Sequence, residues 1–437
     1  MKNEHDLKWQ AALDRRLVSR RGGKRHLLVD ITAPRARTKR DDRIPLNLGL
    51  VIDASGSMQG KPLEAARQAA IGIVEALRDE DHITVVSFAS DVTTHADAVA
   101  ADTAGKRAVI TALEKLRTHG CTDLGAGWLR GCECVARQMD AAPHAQHRVI
   151  LISDGHANRG ITDPEQLGLH AAELRVRGLY SSAVGVGDHY SPTQLLAIAE
   201  NGSGRLHDAA DGQDLVEVVL GELGEILVTA AEDVTLRITH PVHMPVRVLG
   251  TYPCRTGRGE LTVSAGTLVS GANRQVVLQI DVPPGREGDR LPLSIAPSWR
   301  RPGQTTALTA DRLYVEIQLV PVEEVAAELP DIETCTRVAN LWHKDILHRS
   351  MALNAEGDRE GARRYIEEIL PEFKAYCRDL PECRWLWRQL SRQARIVGEH
   401  ISMRDLRASF SISRKMLCME PDLRSRKSDP FRLEDRD

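Results

Sequence analysis

Five oxygen-bearing side chains stand at spacings that suit a hard divalent cation. Asp53, Ser55 and Ser57 lie in the run Asp53-Ala54-Ser55-Gly56-Ser57, Thr122 in His119-Gly120-Cys121-Thr122-Asp123-Leu124, and Asp154 in Leu151-Ile152-Ser153-Asp154-Gly155. Alternate positions let the first three face one point, and Gly56 permits a tight backbone turn between them. Two carboxylates and three hydroxyls are an all-oxygen donor set. Mg²⁺ accepts such a set in octahedral geometry while keeping some waters, Mn²⁺ or Ca²⁺ being the other candidates, and nothing in it is soft enough to favour zinc. Two aspartates neutralise the ion but leave it electrophilic enough to take one more carboxylate from outside, so an open coordination position is expected.

The elements that must gather these residues follow from the pattern around them. From about Ile44 to Val228, short β-branched runs alternate with amphipathic segments, which predicts an α/β unit: an open, doubly wound, mostly parallel sheet of Rossmann type. Leu48 to Ile52 reads as a buried strand ending directly in Asp53. A helix opens at Pro62, with Leu63, Ala66, Ala70, Ile73, Val74 and Leu77 on one face. Further strands are predicted at His82 to Ala89, Arg148 to Ser153, Leu179 to Gly185 and Gly204 to His207. Helices are predicted at Thr103 to Leu116, Leu124 to Met139, from Pro164, from Ser191, and at Gln213 to Thr229. Ligand sites of open α/β sheets lie at the carboxyl ends of the strands, which is where all three motifs fall.

At Glu232 the texture changes to alternating residues such as Val234, Leu236 and Ile238, then Val276, Leu278 and Ile280, the signature of an antiparallel β-sandwich. The earlier stretch His26 to Ala33 alternates in the same way and is predicted to pair with these later strands, making the α/β unit an insertion in the sandwich. Past Pro321 the chain turns helical, with candidates at Glu323 to Ala327, Ile332 to Asn354, Asp358 to Cys377 and Arg384 to Glu399. Trp342, Trp385 and Trp387 are expected to supply the core of a small sheet-less unit. The implied division is a basic segment 1–25, a sandwich strand region 26–43, the α/β unit 44–230, the sandwich 231–320, a helical region 321–420 and a tail 421–437.

Composition narrows the function classes. The 437 residues are 42% hydrophobic with a net charge of -3, so the chain is globular and long enough for two or three domains. The opening residues lack the apolar segment of a secretory signal and no stretch is apolar for long enough to span a bilayer, which predicts a cytoplasmic protein. The eight cysteines show no zinc-type spacing and are expected to be reduced thiols. Basic residues outnumber acidic ones in 1–43 and in 384–437, against an acidic middle. Arg388, Arg392 and Arg395 share a helix face near Trp385 and Trp387, which would suit nucleic acid, but a solvated face backed by a tryptophan core is the preferred explanation.

Catalysis by metal-assisted hydrolysis or phosphoryl transfer, with His156 as base, is the enzyme alternative. A phosphoaspartate enzyme would want a carboxylate where Ser55 stands. Gly56 to Pro62 falls one residue short of a P-loop, and neither G-x-S-x-G nor H-E-x-x-H occurs. His343 and His348 are five residues apart, off a common helix face.

Asp53, Ser55, Ser57, Thr122 and Asp154, together with the block Val51 to Met58 (VIDASGSM), resemble the metal-ion-dependent adhesion site of the von Willebrand factor type A family, whose pattern is D-x-S-x-S, then Thr, then Asp. The resemblance covers about residues 44 to 228. It implies that these five residues bind the metal directly or through water, that a partner's Asp or Glu completes the shell, and that the chain is a non-catalytic interaction protein, a scaffold or adaptor. The flanking β segments look like those of bacterial proteins that set this domain within a β-sandwich. Such proteins often work beside AAA+ ATPases or within multi-gene conflict systems, which makes those components candidate partners. The surrounding contact surface is expected from Met58, Gln59, Ser90, Asp91, His119, Asp123, His156, Asn158 and Arg159, which lie on loops at or near the same edge.

Overall fold

A computed structural model of the chain describes residues 7–34, 43–154, 157–187, 192–209, 212–304, 306–355 and 357–396. The N-terminal part holds three strands, β1 (Lys8–Leu13), β2 (Leu17–Ser19) and β3 (Gly23–Thr32). The expected basic segment 1–25 is therefore corrected over its described residues: β1 pairs antiparallel with β3 from Lys8↔Thr32 to Leu13↔Leu27.

The α/β unit follows, in the order β4 (Leu46–Asp53), α1 (Lys61–Ala76), β5 (His82–Phe88), β6 (Val92–Ala100), α2 (Thr103–Glu114), α3 (Leu124–Met139), β7 (Gln146–Ser153), α4 (Pro164–Val176), β8 (Leu179–Val186), α5 (Pro192–Asn201), β9 (Ser203–Ala209) and α6 (Gly212–Leu227). The sheet order is β6-β5-β4-β7-β8-β9, so β4 is central, and every pairing is parallel except β5 with β6. Edge strand β6 went unpredicted because its half-exposed sequence, VTTHADAVA, buries only Ala96 in the sheet and lacks an apolar run.

Alternation along β4 divides the core. Leu48, Leu50 and Ile52 pack with α1, α2 and α6, whereas Val51 packs on the opposite face with α3, α4 and α5. Helix α3 lies almost on the strands, since a Cβ at Gly127 would stand 2.4 Å from Phe88 and one at Gly131 2.3 Å from Val51. Glycine at these positions brings the helix down against the end of the sheet where the metal motifs converge.

The remaining strands are β10 (Thr229–Thr239), β11 (Val246–Leu249), β12 (Cys254–Gly257), β13 (Glu260–Val269), β14 (Asn273–Val282), β15 (Arg290–Arg300), β16 (Ala307–Thr309) and β17 (Leu313–Val320). They form two sheets, β1-β3-β14-β11 and β12-β13-β10-β15-β17-β2 with β16 on β15, and their inner faces share one apolar core. β3 pairs with β14 over its whole length, from Gly23↔Val282 to Thr32↔Asn273, so the α/β unit is inserted between two pairing strands of the sandwich. The pairing of β2 with β17 is parallel, an exception to the antiparallel pattern.

Helices α7 (Val322–Ala327), α8 (Ile332–Ala355), α9 (Arg359–Tyr376) and α10 (Arg384–Ile396) complete the described chain. They are not a sheet-less unit. Leu28 of β3, Leu249 of β11 and Val277 of β14 join Val338, Trp342, Ile346, Ile366 and Phe373 in one core, so the helices cover the outer face of the first sandwich sheet. That explains why β3 is buried on both faces: Leu27, Val29 and Ile31 face the sandwich, and His26, Leu28 and Asp30 face the helices, where His26 lies 4.9 Å from the Trp342 ring and Asp30 pairs with Arg337. Trp342 is buried as expected, but Trp385 is 51% exposed and Trp387 packs only partly against the core. The part of the last helix expected beyond Ile396, and the tail, lie outside the described residues.

Candidate metal centre

The central strand β4 ends in Asp53, whose side chain is fully buried. Its Oδ1 accepts the Ser55 amide at 2.8 Å, closing a turn typical of aspartate, and its Oδ2 accepts the Ser153 hydroxyl at 2.6 Å from the neighbouring strand β7. The chain then makes one turn of 3-10 helix at Gly56–Met58. This brings Ser55 Oγ to 3.0 Å from Ser57 Oγ, and Ser57 Oγ donates to Asp154 Oδ1 at 2.8 Å. Asp53, Ser55, Ser57 and Asp154 thus form a continuous set of side-chain oxygens at the carboxyl edge of β4 and β7.

Thr122 reaches the same edge on a loop tied at several points. The Gly56 amide donates to Gly120 O at 3.2 Å, the His119 amide to Ala54 O at 2.8 Å and the Asp123 amide to Ala89 O at 3.0 Å. Gly120 has φ +61, and a Cβ there would stand 2.3 Å from Ser90 Oγ, so the turn before Thr122 requires glycine. The Thr122 amide donates to Asn158 Oδ1 at 3.2 Å and the Asn158 amide returns to Thr122 O, also at 3.2 Å. Thr122 itself is 4% exposed.

The residues expected to form the contact surface divide into several groups. Met58 is corrected: its side chain is completely buried in the core beneath the 3-10 turn, with no surface to offer. The Asp123 carboxylate caps α3 by accepting the Ala126 amide at 3.1 Å, and the Asn158 amide oxygen is taken up in holding the Thr122 backbone. His119 and Arg159 are exposed at the rim, with Arg159 Nη1 donating to Ser90 O at 3.2 Å. Gln59 and Asp91 are exposed and Ser90 half-buried, while His156 lies outside the described residues. Ser153 and Gly120 are not recognisable as supports from sequence, because hydroxyls and glycines are ordinary at strand ends and turns, and Ser90, expected at the contact surface, instead plays a supporting role by accepting the Cys121 amide at 2.9 Å.

The electrostatics identify what these oxygens suit. Burial pushes the Asp53 carboxyl above the ordinary carboxylate value, against the donations from Ser153 and Ser55. Asp154 is also raised, first by burial and further by the Asp53 charge, against the donation from Ser57. Among the described residues no cationic side chain pairs with either one. Two adjacent carboxylates that resist ionisation, surrounded by hydroxyl oxygens, are short of positive charge, and a hard divalent ion is the group that supplies it. The donor set therefore fits an ion of the Mg²⁺ class.

Residues 47–219 match the family model of the von Willebrand factor type A domain. Among curated relatives, a protein of Synechocystis is 33% identical over 171 residues, covering 38% of this chain and 38% of that one. Rat inter-alpha-trypsin inhibitor heavy chain H3 is 28% identical over 197 residues, 43% of this chain and 22% of the relative. The matched segment thus spans well under half of either relative. Among solved structures, a von Willebrand factor type A protein of Catenulispora acidiphila aligns over 93% of this chain and 96% of its own, with a TM-score of 0.69 at 17% identity. The ArnB paralog VWA2 of Sulfolobus acidocaldarius aligns over 94% and 99%, with a TM-score of 0.59 at 16% identity. At those identities the likeness is one of fold, and it extends beyond the α/β unit to nearly the whole chain.

Proposed function

We propose that this chain captures a protein partner through a divalent ion held by Asp53, Ser55, Ser57, Thr122 and Asp154, on the match of residues 47–219 to the von Willebrand factor type A domain, a family of metal-dependent protein-interaction modules. Mg²⁺ is the preferred ion, with Mn²⁺ or Ca²⁺ as substitutes, on the all-oxygen donor set. When bound, the ion supplies a Lewis-acid position that accepts a carboxylate oxygen from an Asp or Glu of the partner. The carrying observation is the buried Asp53 beside Asp154, two carboxylates raised by burial and oriented by Ser153, Ser55 and Ser57.

The chain's own residues do the positioning. Ser153 and the Ser55 amide fix both oxygens of Asp53, Ser57 sets the rotamer of Asp154, and Asn158 with Gly120 holds the Thr122 loop at the same edge. His119 and Arg159 stand exposed at the rim for polar contacts with the partner. The hydroxyls of Ser57 and Ser153 are engaged in orienting the two carboxylates, a role that suits a module holding an ion for recognition. On this reading the sandwich and the helices make the chain a scaffold or adaptor, and AAA+ ATPases or conflict-system components are the first partners to try. No helix among the described residues is long and apolar enough to cross a membrane.

The test is capture of partners by the full chain as wild type, as Asp53→Ala and in EDTA. Capture lost under both changes is expected. Capture indifferent to both would overturn the metal bridge, and substrate hydrolysis that disappears in Asp53→Ala would replace it with an enzyme.

A further inference from the structure

A second surface lies on the helices, apart from the metal edge. α10 has the sequence RWLWRQLSRQARI, without a single acidic residue. Leu386, Leu390 and Ala394 are buried in the helical core, which leaves Arg384, Arg388 and Arg392, one turn apart, exposed on the outer side. Trp387 packs partly against the helical core and backs this face, whereas Trp385 does not. Trp385 is 51% exposed, and the Trp387 ring has Lys374 Nζ at 4.7 Å and Arg388 Cζ at 5.5 Å. These cation–π contacts hold two charges at the surface around an aromatic ring.

Nearby carboxylates do not cancel the charge. Glu372 is taken by Lys24 at 2.6 Å, Asp379 by Arg15 at 3.5 Å and Glu367 by Arg363 at 2.8 Å. Glu382 is exposed beside the patch. Among the described residues none pairs with Lys374, Arg388 or Arg392. The first pair ties Lys24 of β3 to α9, and the second ties Arg15, between β1 and β2, to the turn that follows α9.

We propose that the α9–α10 surface binds single-stranded nucleic acid, with Lys374, Arg388 and Arg392 on the phosphates and Trp385 stacking on a base. Charge alone would equally suit an acidic peptide. Trp385, half-exposed and three residues before Arg388 on the same helix face, favours a strand with bases, because every base offers a ring face to stack on and an Asp or Glu side chain offers none. Binding of this kind is sequence-tolerant and salt-sensitive, and it needs no divalent ion.

The test uses the full chain and a fluorescein-labelled oligothymidylate of about 15 nucleotides, followed by anisotropy across a salt series in EDTA. Binding is expected at low salt, weakening by about 0.7 in log K per log salt for each phosphate contacted. Arg388→Ala with Arg392→Ala should flatten that slope by about 1.4. Trp385→Ala should cost about tenfold in affinity while leaving the slope unchanged. Both variants replace exposed side chains, and unchanged melting curves will show that they fold. No binding by the full chain at low salt would overturn the proposal. So would displacement of the oligonucleotide by an equal charge of polyglutamate, or binding indifferent to Trp385→Ala, since either outcome would make this an acidic-protein surface.

Discussion

Ser153, the last residue of β7, donates its hydroxyl to Asp53 Oδ2 at 2.6 Å, while the other oxygen of Asp53 accepts the Ser55 amide. The carboxylate at the end of the central strand is therefore fixed from a neighbouring strand on one side and from its own loop on the other. Groups that orient metal ligands in this way are typically worth about 10- to 100-fold in affinity. Ser153→Ala is expected to weaken Mg²⁺ or Mn²⁺ binding by about tenfold, read by titration calorimetry. An unchanged affinity would mean that the Ser55 amide alone orients Asp53.

The raised carboxyls predict a stability signature with a definite sign. A carboxyl whose folded value lies above its ordinary 3.8 contributes stability below that value, and the contribution is lost as pH rises through the raised one. At neutral pH the metal-free domain thus bears the cost of both charges. In EDTA, Asp53→Asn is expected to melt above wild type at pH about 7, with the gap closing toward pH about 4. Saturating Mg²⁺ should reverse the order, because binding at a hundredfold excess over Kd stabilises wild type by about 2.7 kcal/mol and leaves the variant unmoved. A variant that melts below wild type in EDTA at neutral pH would contradict the assigned direction.

The proposed donors were legible as candidates because Asp53, Ser55, Ser57 and Asp154 close or follow a buried strand and Thr122 precedes a helix, so strand ends could be located and the candidate ligands placed at one sheet edge. What surrounds them was less readable. Met58 follows Ser57 in a surface-looking loop, yet the 3-10 turn rotates its side chain into the core. β15 carries Pro292 and Pro297 inside LPLSIAPSW, and prolines demote a strand pattern even though this one pairs on both sides. The helices' partner was hidden for another reason: β3 shows one alternation in sequence, and only the pairing reveals that its polar phase, His26 and Asp30, faces helices instead of water.

Two glycines set how closely α3 and the Thr122 loop approach the sheet. A Cβ at Gly127 would meet Phe88 at 2.4 Å, so Gly127→Ala should destabilise the fold by about 1–3 kcal/mol through overpacking. At Gly120 the strain is local, with φ +61 and Ser90 Oγ at 2.3 Å from the added atom. Gly120→Ala is therefore expected to displace Thr122 and lower metal affinity more than it lowers the unfolding free energy. Urea unfolding compared with metal titration separates the two, and an equal loss of both by Gly120→Ala would show that the loop is only structural.

At the opposite edge of the parallel sheet, where β10 leaves the α/β unit, Arg148 and Glu232 form an ion pair with side chains 5% and 3% exposed. Arg148 also lies 4.5 Å over the Tyr180 ring. Burial raises the Glu232 carboxyl, and the Arg148 charge opposes that rise most, ahead of the Tyr180 hydrogen bond and the Arg300 charge, so Glu232 relies chiefly on Arg148 to stay ionised. Removing one member of such a pair strands the other charge away from water, at a cost of about 3–5 kcal/mol, whereas replacing both with apolar groups is often nearly neutral. Arg148→Met is expected to show a loss toward the lower end of that range at neutral pH, since Arg300 remains near Glu232, and a smaller one in acid, where Glu232 can fold protonated, while Arg148→Met with Glu232→Leu should recover most of the stability. Equal losses in the single and double variants would mean that the joint between the inserted unit and the sandwich is held by packing around Tyr180 and not by the pair.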